Sequence, residues 1–219
     1  MQENTSSQSK ACAIFDLDGT LLSGPSSEGR FFLYLVLHGV VSLKHIAFYL
    51  FNFLLTWRLR QNKAFYRGLE VRRLRKLAKA FAEKHLKNSL ASEGLKRVEE
   101  EKRKGRRTVL LSGCPQFLLD FIAQYTGCDE AIGLNLEVKN GIFTGKYIPP
   151  YPFGRGKMLL VESMQCDRKE SSGYGNHISD RYFLSLLKES YCVNPGLSFK
   201  RYCNKNKIPV LYWKKKENY

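Results

Sequence analysis

The stretch "AIFDLDGTLL", residues 13 to 22, sets two carboxylates one residue apart directly behind an apolar run and just ahead of a glycine. A short unbroken apolar run closed by polar residues marks a strand buried on both faces of a parallel sheet, delivering its last residues to a loop. Open parallel sheets bind ligands outside the carboxyl ends of their strands. Asp16 and Asp18 therefore stand where such a fold does its chemistry.

The rest of the chain supports that reading. Residues 27 to 105 are helical in pattern and end in "EGLKRVEEEKRKGRR", whose acids and bases at helical spacing suit an exposed helix. Strand character returns at "TVLLS" (108 to 112), followed by a helix "PQFLLDFIAQYTG" with Pro115 in its first turn. Residues 134 to 147 alternate around Asn140-Gly141, the strongest short-range hairpin signal. Beyond lie a helix at 156 to 166, a strand at 171 to 175, a helix at 179 to 188, the strand "SYCVN", a helix at 197 to 206 and a last strand "IPVLYW". The pattern predicts an α/β fold with a mainly parallel, Rossmann-like sheet core of residues 11–26 and 106–213. A helical cap, residues 27–105, is inserted after the first strand, with a disordered tail at 1–10 and a basic tail at 214–219.

Charge narrows the partners. Lys and Arg number 36 against 20 Asp and Glu, a net charge of +16, which points to anionic partners: nucleic acid, an anionic membrane or a phosphorylated substrate. Much of the excess lies in residues 57 to 87 and 213 to 219, where a solvated basic helical face explains it equally well. The apolar stretch 31 to 57 has the length of a bilayer span, but His38, Gly39, Ser42, Lys44, His45 and Asn52 interrupt it. It predicts two helices, the first ended by Gly39 and the second capped by Ser42, each too short to span and either buried or facing a membrane. Six cysteines without the close-pair spacing of zinc sites fit a reducing cytosol, and the polar first ten residues carry no secretory signal. The expected location is cytoplasmic, either free of the membrane or in peripheral contact with it through residues 31–57.

The groups that converge on the sheet edge form a coherent set. A strand-end carboxylate can attack phosphorus when a divalent cation neutralises both charges, and a second carboxylate two residues on points to the same side. It can protonate the leaving oxygen and then activate water. Ser112 and neighbouring N–H groups offer phosphate donors, Lys157 a fixed cation, and Asp180 a further oxygen for magnesium. Taken singly each has a plainer reading: Asp-Gly as a turn, Ser112 as a helix cap, Lys157 as a solvated lysine. His177 reads as a loop side chain, Cys114 as a small packed residue, and Glu28, Arg30, Arg67, Arg72 and Arg73 as substrate readers or solvated charges.

Four segments in order decide between them. "DLDGTLL", "LLSGCP", "RGK" and "GYGNHISD" resemble the four motifs of the haloacid dehalogenase superfamily of phosphohydrolases. The helical insertion, the "EVKNGIFTG" hairpin and the "CVNP" ending resemble its subfamily IB, the phosphoserine-phosphatase-like branch. The resemblance implies Asp16 as the nucleophile that forms an aspartyl-phosphate and Asp18 as general acid and base, both helping to hold Mg2+, Asp18 through its backbone carbonyl. It assigns phosphate binding to Ser112 with Thr20 and Gly113, charge stabilisation to Lys157, and closure of the metal site to Asn176 and Asp180. Where the family usually has Gly-Asp, this chain has Gly175-Asn176, so magnesium affinity should fall. The implied activity is a magnesium-dependent phosphomonoester hydrolase acting on a phosphorylated small molecule or a glycerolipid phosphate. The alternative is a catalytically weakened phosphate-binding protein of the same fold. A nucleic-acid module is motivated by charge alone and has no recognition motif, so no specific nucleic acid is expected.

Overall fold

The computed structural model describes residues 10–57 and 61–214; the expected amino-terminal tail, save Lys10, and the basic tail beyond Lys214 lie outside the described residues. Six strands form one sheet: β1 (Cys12–Phe15), β2 (Arg107–Pro115), β3 (Glu130–Leu134), β6 (Ser172–Gly175), β7 (Glu189–Val193) and β8 (Val210–Leu211), in the order β3-β2-β1-β6-β7-β8. Every neighbouring pair runs parallel. The remaining strands, β4 (Leu136–Lys139) and β5 (Ile142–Tyr147), make a separate antiparallel hairpin turned at Asn140 and Gly141, both with positive φ. That is the backbone which Asn-Gly favours.

The sheet is buried on both faces, as the apolar opening strand predicts. Cys12, Ile14, Val109 and Leu111 look to one side, where α6 (Arg155–Ser163), α7 (Arg181–Leu184) and α8 (Leu197–Lys205) supply Val161, Phe183 and Phe199. Ala13, Phe15 and Leu110 look to the other, toward α4 (Ser92–Arg103) and α5 (Gln116–Ala123). That second core runs on without a break into Phe31 and Leu35 of α1 (Ser27–Leu37) and Leu74, Ala78 and Phe81 of α3 (Val71–Phe81). Helix α2 (Leu43–Thr56) follows α1 after the left-handed Gly39, with the Ser42 N–H donating to His45 Nδ1 at its start. No helix among the described residues is long and apolar enough to cross a membrane.

One buried carboxylate ties helix to sheet. Glu101 of α4, fully buried, accepts from Arg106 at 2.7 Å, Lys104 at 2.8 Å, Tyr174 Oη at 3.0 Å and Ser172 Oγ at 3.1 Å. Burial alone would raise its pKa, but these donors together hold it below the ordinary glutamate value. Above it, Phe15, Tyr174 and Tyr191 stack across three neighbouring strands with centroids 4.5 and 4.9 Å apart.

The differences from the sequence reading are local. Strand β3 was not anticipated, because "EAIGL" offers one β-branched residue and a glycine; the region expected to hold only a hairpin also completes the sheet. Strand β2 runs on to Pro115, which precedes α5 rather than lying in its first turn. The helix expected at 179–188 is a 3-10 turn, Ile178–Asp180, and one α-turn.

Candidate active site

The register of the three central strands brings their ends together. Phe15 pairs with Leu110 and with Tyr174, and the Asp16 N–H donates to the Tyr174 carbonyl at 2.9 Å. The chain leaving β1, the end of β2 and the loop after β6 therefore open onto one cleft of about 360 Å3. Asp16, Asp18, Ser112, Gly113, Lys157, Asn176 and Asp180 all line it; Thr20 lies fully buried just behind.

At its floor, Lys157 Nζ, near the start of α6, sits between two carboxylates, 2.5 Å from Asp16 Oδ1 and 2.9 Å from Asp180 Oδ1. All three are buried. Burial would lower the lysine pKa, yet the two carboxylates carry it upward, so Lys157 stays charged. For Asp16, burial outweighs the pull of Lys157 and pushes the carboxyl up to about 7. Its other oxygen, Oδ2, accepts from Thr20 Oγ1 at 3.1 Å, so Thr20 orients Asp16 from behind rather than facing the cleft directly. Asp180 Oδ2 accepts the N–H groups of Asn176 at 3.1 Å and His177 at 3.0 Å. Both Asp180 oxygens are thus committed to the lysine and the loop; a Cβ on Gly175 would meet Asp180 Cβ at 2.7 Å, which is why the strand ends in glycine.

Asp18 is held differently. Its Oδ1 accepts the Ser27 N–H at 2.7 Å and its Oδ2 the Ser27 hydroxyl at 3.1 Å, so the first residue of α1 grips both oxygens. Packing around the carboxyl raises its pKa, while Ser27 and then Arg30 pull the other way. Gly19, at φ 82°, turns the chain beneath Asn176: a Cβ there would lie 1.9 Å from Asn176 Nδ2. The Ser112 hydroxyl accepts the Cys114 N–H at 3.2 Å. His177 Nδ1 meets Ser179 Oγ at 2.8 Å within the loop.

Residues 13–185 match the haloacid dehalogenase-like hydrolases. The chain belongs to that family. Among curated proteins it resembles the histidinol-phosphatase of Neisseria meningitidis, 25% identical over 234 residues, covering 94% of this chain and all of the relative. Among solved structures, a Bordetella pertussis protein of unknown function superposes with a TM-score of 0.69 at 17% identity, over 93% of this chain and 98% of the other. A phosphoserine phosphatase carrying an analogue of the phospho-aspartyl intermediate superposes at 0.62 and 15% identity, over 95% of both chains. These two likenesses speak to the fold. They agree with an α/β core of the haloacid dehalogenase type, and with the subfamily IB resemblance carried by the helical insertion, the hairpin and the "CVNP" ending.

Among the described residues no three or more His, Cys, Asp and Glu side chains are arranged to hold a metal ion. A cation here would need mixed oxygen donors, and the cleft offers them: Asp16 uses one site on each oxygen, leaving lone pairs free, beside the Asn176 amide that packs on Gly19. Such a set suits a hard cation such as magnesium. Family membership implies magnesium as the usual ion.

Two features escaped the sequence reading. Ser27 carries no motif and looks like one more helix-start serine in "GPSSEG". Lys63, in the basic run, is buried and binds Glu28 Oε2 at 2.5 Å, with Glu28 itself on the cleft wall. Tyr151 and Phe153 complete that wall.

Proposed function

We propose that the chain hydrolyses phosphate monoesters through an aspartyl-phosphate on Asp16. The observation that carries this reading is the buried Asp16–Lys157–Asp180 cluster opening into the cleft that Ser112 and Asp18 share. An Asp16 oxygen attacks phosphorus as the bond to the leaving oxygen breaks, and Asp18 gives that oxygen its proton. Asp18 then takes a proton from water, whose oxygen attacks the phosphorus and frees Asp16 and inorganic phosphate. Lys157 balances the negative charge on Asp16 and the phosphoryl group, while Ser112 and the Gly113 amide bind phosphate oxygens. Asp16, the Asp18 carbonyl and Asn176 would hold one magnesium ion, with Asp180 supporting their loop; the ion would neutralise phosphate charge.

The substrate is a phosphorylated small molecule or a lipid-linked phosphate monoester. Peripheral contact with an anionic membrane belongs to the same reading, since a lipid-linked phosphate is met at a bilayer surface. The neutral Asn176 favours a second reading, a weakened protein that binds phosphate without turnover. Phosphate release from a panel of phosphoserine, histidinol phosphate, glycerol phosphates and lipid phosphates, with and without magnesium, tests both. Metal-dependent release lost in Asp16→Asn supports the phosphatase; release that survives Asp16→Asn refutes it. Phosphate binding without turnover by the wild type supports the second reading.

A further inference from the structure

Helix α2 is apolar on the wrong side for a helix at a water interface. Leu43, Leu50 and Leu54 recur at helical spacing on one stripe, flanked by Phe51, Leu55 and, just past the helix, Trp57; each is more than half exposed. The helix's polar Asn52 and His45 lie instead on the more buried side. Exposed large side chains this closely grouped mark a docking surface rather than scattered surface apolars.

The charge beside the stripe selects the partner. The groove between α2 and the following turn is lined by Phe48 and Phe51 with Lys44 and Arg67 at its rim, and Arg67 lies over the Phe48 ring at 4.6 Å. Gly68, in that groove, also borders α3 beside Arg72, Lys76, Lys79 and the N-cap Glu70; the helix itself exposes these cations and Arg73 and carries no acidic residue. An apolar stripe ending in a tryptophan and adjoining a cationic helix is the pattern of an interfacial, monotopic contact. A protein partner would need an apolar groove and an acidic flank together, whereas an anionic bilayer supplies both over any area.

We propose that α2 docks this protein on an anionic lipid bilayer, its apolar stripe in the interfacial layer and the α3 cations on lipid head groups. The inference rests on the membrane contact of the proposed function and names the surface that makes it. The inner side of α2 is linked to the cleft wall at one remove: the Tyr49 carbonyl accepts from Asn62, whose neighbour Lys63 holds Glu28.

The test is co-sedimentation of the full chain with phosphatidylcholine vesicles, with and without phosphatidylserine, alongside turnover of a soluble phosphomonoester. Two surface variants are compared: Phe51→Ser/Leu54→Ser/Leu55→Ser, and Arg72→Glu/Arg73→Glu/Lys76→Glu. The wild type should pellet with the phosphatidylserine vesicles, the first variant should bind at least tenfold more weakly, and the second should lose roughly a hundredfold and its lipid preference. Circular dichroism checks that both fold. Absence of binding to either vesicle, or equal binding by wild type and variants, overturns the proposal. So does a concentration-dependent dimer in ultracentrifugation that the α2 variant abolishes, which would assign the stripe to a second copy. Vesicle binding needs no turnover, so an inactive protein that still docks would sink the phosphatase reading and leave this one standing.

Discussion

Lys157 is the residue on which the cleft floor depends. It is the cation between two buried carboxylates, and its removal leaves Asp16 and Asp180 facing each other without compensation. Lys157→Met should cost about 3–5 kcal/mol in urea unfolding, the usual penalty for breaking a buried ion pair from one side, and should abolish turnover as well. Asn176 poses the opposite problem, a missing charge. Packed on Gly19, it offers a neutral oxygen where an aspartate would add a full negative charge. Asn176→Asp should lower the magnesium concentration for half-maximal phosphate release by roughly tenfold or more, read from a metal titration. An unchanged requirement would show that position 176 does not face the ion.

Among the elements, the β4–β5 hairpin gives the cleanest test of turn chemistry. Gly141 sits at φ 76° with open space where a side chain would point, so Gly141→Ala meets strain and no clash. It should destabilise by about 1 kcal/mol in thermal unfolding and leave the cleft unaltered. The turn was legible because its signal is two adjacent residues. So was the sheet edge: an apolar run closed by Asp16 and Asp18 needs no long-range information, and "TVLLS" repeats the pattern one strand over. Strand β3 was illegible because pairing with β2, not intrinsic preference, makes "EAIGL" extended. Ser27 and Lys63 were illegible for a related reason, since their roles come from partners 9 and 35 residues away, Asp18 and Glu28, and neither pairing has a local signature. The α/β core and the convergence of the motif residues could be read from the chain; the hydrogen bonds that orient each carboxylate could not.

At the scale of the whole molecule, Glu101 joins α4 to the central strand and, through Arg106, to Glu189 on β7 at 2.5 Å. Because its folded pKa is depressed, its contribution to stability is complete above the ordinary glutamate value of 4.5 and is lost as pH falls below it through the lowered value. Glu101→Gln should cost about 3 kcal/mol at neutral pH and flatten the acid limb of a stability profile, measured by denaturant midpoints across pH. A parallel limb in the variant would assign acid sensitivity elsewhere. The grip of Ser27 on both Asp18 oxygens matters at this scale too. The same two hydrogen bonds that seat the first helix beside the cleft also stabilise the charged form of Asp18, the group proposed as the general acid and base. Seating of that helix and the proton affinity of Asp18 are then one coordinate rather than two: each Ser27 hydrogen bond lost frees an oxygen of the carboxylate and strengthens its hold on a proton, and each one regained weakens it.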